Sequence, residues 1–285
     1  MTIDAGNWLR SPLDWSRSNV TVMGLGAFGG GEGAVRFLAE RGAHVTVTDQ
    51  KPADALGGAV DRVRELPGVR LSLGRHDEAD FRGQDLIVVN PAVRRHHPLL
   101  RTAIDAGVPL SSEMNLFWLH HRGRTIGITG SNGKSTTTTL IYAMLCASGI
   151  PARIGGNIGR SLLPEVENIA PGDWTVLELS SFQLADLDHL QRSPQIAVVT
   201  NFAPNHQDHH ASIDEYRHAK QAILRWQRTD DLAVLNADDA DVSHWPTAGR
   251  RATFGALPTA TARIIDDSII VSGNNTESHA TLAAS

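Results

Sequence analysis

The sequence has one cysteine, few aromatic residues and no long apolar run. Its 285 residues include only Cys146 as a thiol, so the chain cannot form an internal disulfide. A reducing, cytoplasmic location is therefore expected. No apolar stretch approaches the roughly 20 residues of a membrane-spanning helix, and positions 1–18 lack the apolar core of a secretory signal. These absences argue against a disulfide-stabilised secreted scaffold, and no membrane partner is expected.

An excess of positive charge is also missing. The chain carries 26 Lys and Arg against 31 Asp and Glu, a formal net charge of −5, and it has no basic run. Because binding to an anionic polymer relies on clustered positive charge, no nucleic acid partner is expected. The length leaves room for about two domains, each with its own core, and a monomer is expected.

The clearest functional signal is a glycine-rich turn between a short apolar strand and a helix, TIGITGSNGKST over residues 125–136. Backbone N–H groups at such a turn carry partial positive charge and bind an anion. Glycine lets this backbone approach a phosphate and adopt positive φ. The residues predicted to bind the phosphates of ATP are Gly130, Ser131, Asn132, Gly133, Lys134, Ser135 and Thr136.

Two residues of this loop have distinct expected roles. Lys134 supplies a mobile positive charge to the outer phosphates, and the Ser135 hydroxyl is placed to ligate Mg²⁺. The loop is shorter than the common phosphate-loop pattern, which would put glycine where Ile128 stands. The alternative interpretation is an ordinary strand–turn–helix connection with a surface lysine.

A second glycine-rich turn lies near the start of the chain. Gly24, Gly26 and Gly29 satisfy G-x-G-x-x-G after an apolar strand, and Asp49 ends the next strand. This is the dinucleotide fingerprint, so an NAD(P)-dependent oxidoreductase is one hypothesis. The residues themselves indicate only that the turn binds a diphosphate and that Asp49 hydrogen-bonds a ribose or a base. A structural turn without a ligand is the other alternative.

Apolar strands and helical patterns alternate along the whole chain. The pattern predicts an α/β protein with mostly parallel sheets. We expect a Rossmann-like N-terminal domain over residues 1–122 and a central α/β domain of the P-loop ATPase type over residues 123–285. Residues 56–66 are predicted to form one helix, and the polar stretch 272–279 is predicted to be turn-like.

Polar side chains recur where the strands of the second half end. These candidates are Lys134, Ser135, Glu178, His206, Asp208 and Asn236. In open parallel sheets, ligands bind at the carboxyl ends of strands. Glu178 follows apolar residues of a strand, where a carboxylate is costly to bury unless it is paired or on a metal, so it is a predicted Mg²⁺ ligand. The histidines around His206 also allow zinc or a solvated loop, but no cysteine supports zinc.

Six motifs occur in the order in which the Mur ligases carry them. They are T-G-S-N-G-K-S-T, G-G-N-I-G, L-E-L-S-S-F-Q-L, N-x-x-P-N-H-x-D-x-H, Y-x-x-A-K and N-A-D-D. From about Val20 to Gly255 the sequence therefore resembles the Mur ligase family. L-E-L-S-S-F-Q-L resembles the D-glutamate-adding members in particular.

The resemblance implies an ATP-dependent ligase of peptidoglycan precursor synthesis. ATP would phosphorylate the carboxylate of UDP-N-acetylmuramoyl-L-alanine to an acyl phosphate, and the amine of D-glutamate would then displace phosphate. Two Mg²⁺ ions are implied. Asn236 would lie on the adenine side of the nucleotide.

The resemblance also implies catalytic roles for Lys134, His206 and Lys220. Ser135 and Glu178 would bind the Mg²⁺ on the ATP side, and His206 would bind the second ion. Lys220 would be carbamylated and act on the metals as an anion. Without the family, an exposed helix lysine would be the default interpretation.

For the first domain, the resemblance implies binding of a UDP group and not of NAD. Gly24 and Gly26 would bind the diphosphate, and Asp49 the uridine. Asn157 and Ser180 would face the muramoyl part of the substrate.

Three features depart from the family pattern. The loop from Gly24 to Gly33 is longer, and Asn90-Pro91-Ala92-Val93 stands where S-P-G-[IV] is common. After Gly255 the family finishes the central domain and enters a third domain that binds D-glutamate, and we expect no room for that domain in the residues that remain here. A ligase with impaired activity is therefore expected, and a nucleotide-binding module without ligase activity is the alternative.

Overall fold

The protein is described by a computed structural model that covers residues 14–26, 29–94, 96–204, 212–266, 268–272 and 277–281. The chain divides into two compact units. The first consists of Met1–Gly123 and Gly155–Pro171, and the second of Arg124–Ile154 and Gly172–Ser285. Residues 155–171 thus pack with the first unit, whereas the sequence-based division places them in the second.

A parallel sheet forms the centre of the first unit. Among the described residues it has five strands, in the order β3-β2-β1-β4-β5. The strands are β1 (Asn19–Met23), β2 (His44–Asp49), β3 (Val69–Leu73), β4 (Leu86–Val89) and β5 (Leu110–Ser111). In register, Val20 pairs with Val45 on one side and with Leu86 on the other. The central strands are buried on both faces, which explains their nearly continuous apolar sequences.

Short helices accompany this sheet. They are α1 (Gly30–Ala39), α2 (Ala53–Leu56), α3 (Gly58–Arg64), α4 (Pro98–Asp105) and α5 (Glu113–His120). The prediction of one helix over residues 56–66 is wrong. Gly57 adopts φ +59° and ψ −150°, outside the helical region, and separates α2 from α3. Ser112 caps α5, since its Oγ accepts a hydrogen bond from the N–H of Asn115 at 3.2 Å.

The second unit is built on a larger sheet, with nine strands in the part of the chain that the structure describes. Their order is β14-β13-β12-β11-β10-β9-β6-β8-β7. The strands are β6 (Arg124–Thr129), β7 (Ala152–Gly156), β8 (Trp174–Glu178), β9 (Ile196–Val199), β10 (Leu232–Asn236), β11 (Arg250–Phe254), β12 (Ala262–Ile265), β13 (Ser268–Ser272) and β14 (Glu277–Thr281). Strands β8, β6, β9, β10 and β11 pair in parallel.

The end of this sheet corrects the prediction for residues 272–279. Strands β12, β13 and β14 pair antiparallel, so Ser272 ends β13 and Glu277–Thr281 is a strand, and the prediction is wrong for these residues. Residues 273–276 lie outside the described residues. A neighbouring strand satisfies the backbone groups of Glu277–Thr281, and this pairing outweighs the weak strand propensity of a polar sequence. The predicted α/β class with mostly parallel sheets is confirmed.

In the described part of the second unit, the α-helices are α6 (Lys134–Ala147), α7 (Ser181–His189) and α8 (Ile213–Arg225). In α6, Ile141 and Leu145 pack on the core of the sheet. Leu140 and Met144 have the same helical spacing as Ile141 and Leu145 but are 57% and 59% exposed. Fewer apolar side chains of α6 are therefore buried than their spacing suggests. None of the helices described here is long and apolar enough to span a bilayer.

Candidate functional site

The phosphate-loop stretch forms the turn that the sequence predicts. Strand β6 ends at Thr129, and helix α6 begins at Lys134. Gly133 has φ +79° at the N-cap of the helix, a conformation that suits glycine. A Cβ on Gly130 would overlap Thr200 Oγ1. The two glycines therefore permit a tight turn whose helix N-terminus can bind an anion.

Two residues that follow β9, Thr200 and Asn201, form hydrogen bonds with Asn132 in the glycine-rich loop. Thr200 Oγ1 donates to the carbonyl oxygen of Asn132 at 2.6 Å. Asn201 Oδ1 accepts the N–H of Asn132 at 2.9 Å, and its Nδ2 donates to the Asn132 carbonyl at 3.0 Å. Thr200 is not among the predicted site residues, and Asn201 is named only as the first residue of the N-x-x-P-N-H-x-D-x-H motif. Their position at the carboxyl end of a central strand was the available signal.

The side chain of Ser131 links the loop to the segment that follows β9. Its Oγ donates to the carbonyl oxygen of Ala203 at 2.9 Å and accepts the N–H of Ala203 at 2.9 Å. The hydroxyl of Tyr216 lies 3.3 Å from the same Oγ. Ser131 is thus fixed by its side chain and by its backbone, since its N–H donates to the carbonyl oxygen of Asn201 at 3.0 Å.

Lys134 folds back along the loop. Its Nζ donates to the carbonyl oxygens of Gly130 at 3.0 Å and Ser131 at 3.1 Å. Burial lowers the pKa of Lys134, and the negative charge of Glu178 opposes this change. The ammonium therefore lies at the loop where an outer phosphate would bind.

A second lysine reaches the same carbonyl from α8. Lys220 is 1% exposed, and its Nζ donates to the carbonyl oxygen of Gly130 at 2.8 Å. Thr129 Oγ1 lies 3.4 Å from that Nζ. Burial and then the positive charge of Lys134 lower the pKa of Lys220 to about 7, against the opposing charge of Glu178. The alternative of an exposed helix lysine is therefore wrong.

Ser135 and Glu178 lie side by side. Ser135 Oγ donates to Oε2 of Glu178 at 2.6 Å, and Glu178 is 2% exposed. Carboxylate and hydroxyl oxygens are ligands that Mg²⁺ accepts, so this pair fits the predicted metal. Among the described residues, no group of three His, Cys, Asp or Glu side chains could hold a metal ion. An ion here would therefore share its remaining positions with phosphate oxygens and water.

The other predicted residues of the second unit have local partners. Asn236 Nδ2 donates to the Thr200 carbonyl at 2.8 Å, and its Oδ1 accepts the N–H of Asp238 at 2.9 Å. Ser180 caps α7, since its Oγ accepts the N–H of Gln183 at 3.3 Å. Their adenine and muramoyl roles remain predictions. His206 and Asp208 lie outside the described residues.

In the first unit, the glycine-rich turn follows β1 as predicted. Gly24, Gly26 and Gly29 have φ of +89°, +70° and +79°. Asp49 is buried at the end of β2, and its Oδ2 accepts the N–H of Leu25 at 3.0 Å. The carboxylate of Asp49 therefore stabilises the turn through this hydrogen bond.

Asn90, one of the departures from the family pattern, packs against this turn. A Cβ on Gly26 would overlap Asn90 Nδ2, so position 26 has no space for a side chain while Asn90 is present. Asn90 Oδ1 accepts the N–H of Ala92 at 3.0 Å. Asn157 lies exposed in the segment that packs with the first unit.

The structure therefore groups the predicted residues by unit. The second unit brings together Lys134, Ser135, Glu178 and Lys220 around the phosphate loop. The first unit brings together Gly24, Gly26 and Asp49. Each group is a candidate site of its own: a phosphate-loop turn with two lysines, and a glycine-rich turn with a buried carboxylate.

Two family models match the chain. The Mur ligase middle domain matches residues 128–280. The N-terminal domain of MurD-like Mur ligases matches residues 18–112. Together the two matches cover both units.

Curated relatives are similar over most of this chain. The UDP-N-acetylmuramoylalanine--D-glutamate ligase of Roseiflexus sp. (strain RS-1) is 43% identical over 217 residues, 76% of this chain and 46% of the relative. The ligase of the same name from Symbiobacterium thermophilum is 44% identical over 216 residues, 76% of this chain and 47% of the relative. The chain spans about half the length of the curated relatives it matches.

Solved structures share the fold at low identity. The UDP-N-acetylmuramate:L-alanyl-gamma-D-glutamyl-meso-diaminopimelate ligase of Neisseria meningitides has a TM-score of 0.62 at 17% identity, covering 91% of this chain and 85% of that one. A murein peptide ligase of Psychrobacter arcticus has a TM-score of 0.59 at 16% identity, covering 94% of this chain and 62% of that one. At these identities the likeness concerns the fold alone.

Proposed function

The chain belongs to the Mur ligase family, and we propose that it acts in the ATP-dependent joining of D-glutamate to UDP-N-acetylmuramoyl-L-alanine in peptidoglycan precursor synthesis. One observation carries the proposal. The buried amine of Lys220 and the ammonium of Lys134 meet at the Gly130 carbonyl, with Glu178 close enough to affect both pKa values. A plain strand–turn–helix connection gives no reason to bury a second lysine at the turn.

The phosphate loop and Lys134 would bind and activate ATP. Loop N–H groups and the Lys134 ammonium stabilise negative charge on the transferring γ-phosphoryl group. The carboxylate oxygen of UDP-N-acetylmuramoyl-L-alanine attacks the γ-phosphorus, and the bond to the β–γ bridging oxygen breaks to release ADP. The amine of D-glutamate then attacks the acyl carbon, loses a proton and expels inorganic phosphate. The product is an amide.

Ser135 and Glu178 would hold the Mg²⁺ that accompanies ATP, and His206 together with a carbamylated Lys220 would hold a second ion. When bound, Mg²⁺ neutralises charge on the phosphate oxygens. Members of the family use ATP with Mg²⁺, and we propose two ions here. Glu178 also maintains positive charge on Lys134, since its carboxylate favours the protonated form.

Lys220 is suited to carbamylation. With a pKa of about 7, a large fraction of the amine is neutral at neutral pH. The neutral nitrogen attacks the carbon of CO₂ and loses a proton, which leaves a carbamate anion. Beside the Lys134 cation, such an anion is favoured where a second ammonium is not.

The first unit would bind the UDP group. The glycine-rich turn after β1 would take the diphosphate through Gly24 and Gly26, and Asp49 would reach the uridine. Asn157 and Ser180 would contact the muramoyl part. The two other hypotheses, an NAD(P)-dependent oxidoreductase and a nucleotide-binding module without ligase activity, are not favoured by the family membership. A cytoplasmic location and a monomeric state stay predictions.

Ligand binding and product formation test this proposal. We expect calorimetry to detect UDP-N-acetylmuramoyl-L-alanine and Mg²⁺–ATP but not NADH. We also expect ADP formation that depends on UDP-N-acetylmuramoyl-L-alanine, measured with and without D-glutamate. Binding of NADH in the absence of any affinity for the UDP compound would instead support the oxidoreductase. Binding of both substrates without ADP formation would support the nucleotide-binding module.

A further inference from the structure

The segment Gly155–Pro171 packs with the first unit and carries Asn157 near its start. The apolar side chains that it buries are Leu162, Leu163, Val166 and Ile169. Gly156 and Gly159, on either side of Asn157, have φ of +95° and +70°. Because glycine adds little stiffness of its own, the position of Asn157 depends on what anchors the segment.

Ser161 is such an anchor. Its Oγ donates a hydrogen bond to Oε1 of Glu113, in the first turn of α5. The same Oγ accepts the N–H of Leu163 at 3.2 Å. A Cβ on Gly33, in α1, would overlap both Oγ and Cβ of Ser161. Ser161 therefore lies where α1, α5 and the segment meet, with no space to shift toward α1.

Among the residues that the structure describes, the hydrogen-bond partner of Glu113 is this hydroxyl, and no cationic side chain pairs with it. The arginines of α1, of the turn after α1 and of the segment form ion pairs with glutamates. These pairs are Arg36 with Glu32, Arg160 with Glu165, and Arg41 with Glu167. Burial raises the pKa of Glu113 to about 7, and the hydrogen bond from Ser161 opposes the rise. The ionised carboxylate is the stronger acceptor, so the anchor strengthens as the pH rises past neutrality.

We propose that Glu113, acting through Ser161, is a positioning residue that fixes residues 157–160, which follow β7, and thereby sets the affinity for the muramoyl-peptide part of the substrate. The inference rests on the proposed function, which assigns that part of the substrate to Asn157. Affinity for UDP itself is independent of the anchor, because the glycine-rich turn after β1 is assigned to the diphosphate.

Calorimetry with UDP and with UDP-N-acetylmuramoyl-L-alanine tests the proposal on the whole chain. Ser161→Ala and Gly33→Ala should each weaken binding of the muramoyl compound about tenfold and leave binding of UDP unchanged, because each change disturbs the charge-assisted hydrogen bond that anchors the segment. Because alanine has a higher helix propensity than glycine, Gly33→Ala should not weaken α1 itself. A lower affinity in this variant would therefore come from displacement of Ser161. Equal weakening of both ligands would overturn the proposal.

The pH dependence of the affinity separates a positioning role of Glu113 from a role in packing. In the wild-type chain, affinity for the muramoyl compound should rise between pH 6 and pH 8. Glu113→Gln keeps an acceptor but cannot ionise, so its affinity should match the wild type at pH 6 and stay constant to pH 8. Glu78→Gln, which alters an exposed acid paired with Arg82, is the matched control and should follow the wild type. A wild-type profile in Glu113→Gln would contradict the proposal.

Hydrogen exchange of the unliganded chain gives a readout that needs no substrate. Amides of residues 156–163 should exchange faster in Ser161→Ala and Gly33→Ala, while those of α6 stay unchanged. Unchanged exchange at residues 156–163 in both variants would overturn the positioning role. A wild-type chain that binds neither UDP compound would defeat the proposed function, and the exchange result would still decide the role of Glu113.

Discussion

Lys134 and Lys220 donate from Nζ to one acceptor, the carbonyl oxygen of Gly130, at 3.0 Å and 2.8 Å. The two lysines come from α6 and α8. Burial lowers the pKa of both lysines, and for Lys220 the positive charge of Lys134 lowers it further. The change is large for Lys220, which is buried, so Lys220 is the amine that gives up its proton. Lys134 keeps its charge for a phosphate.

Lys134→Ala should reduce the affinity for ATP by at least about tenfold, because a charge-assisted hydrogen bond contributes roughly 1.5–3 kcal/mol. Calorimetry with Mg²⁺–ATP measures the effect, and thermal unfolding checks that the chain remains folded. Lys51→Ala, a change of an exposed lysine in the first unit, is the matched control and should bind ATP normally. Equal ATP affinity in both variants would contradict the assignment of the phosphate loop.

Lys220 makes stability depend on pH. Its pKa is about 7 in the folded chain against a reference value of 10.5, so between these values the folded chain binds fewer protons than the unfolded chain. The free energy of unfolding therefore rises with pH across this window. Lys220→Met removes the titrating group. Its stability relative to wild type should fall by on the order of 3 kcal/mol from pH 7 to pH 10, from the size of the pKa change.

Urea unfolding in CO₂-free buffer measures this difference, since a carbamate would change the charge at Lys220. Lys51→Met is the control and should show the pH dependence of the wild type, because Lys51 is exposed. A constant difference between Lys220→Met and wild type across the window would show that Lys220 does not titrate in this way.

Carbamylation of Lys220 predicts chemical rescue. Lys220→Ala should lose the substrate-dependent ADP formation proposed above, and short carboxylic acids such as formate or acetate should restore part of it by placing an anion in the vacated space. Chloride at equal ionic strength is the control for the general effect of salt. Failure of every small acid with a folded protein would argue against the carbamate.

Ser135→Ala should lower the affinity for Mg²⁺–ATP about tenfold and leave metal-free ATP binding nearly unchanged, because the hydroxyl is assigned to the metal. Ser135→Thr keeps the hydroxyl and should retain the affinity. Ser148→Ala, at the C-terminal end of the same helix, removes a hydroxyl that donates to the Met144 carbonyl at 2.9 Å and serves as the control. An equal loss with and without Mg²⁺ in Ser135→Ala would count against a metal ligand.

Local features could be predicted from the sequence because neighbouring residues determine them. The strand ending at Asp49, the cap at Ser112 and the start of α6 at Lys134 follow from residue pattern, side-chain capping and the glycine turn. The resemblance to the Mur ligases is confirmed for the same reason, since its motifs are short and ordered along the chain.

Tertiary structure alone decided which distant residues meet. Lys220 donates to Gly130 across 90 positions, and burial at this point, together with the charge of Lys134, lowers the pKa of its amine. The hydrogen bond of Ser161 with Glu113 spans 48 positions and anchors residues 155–171 on the first unit. The sequence determined the chemical groups and their local elements; burial, charge and partners depend on packing between elements far apart in the chain, which residue pattern does not encode.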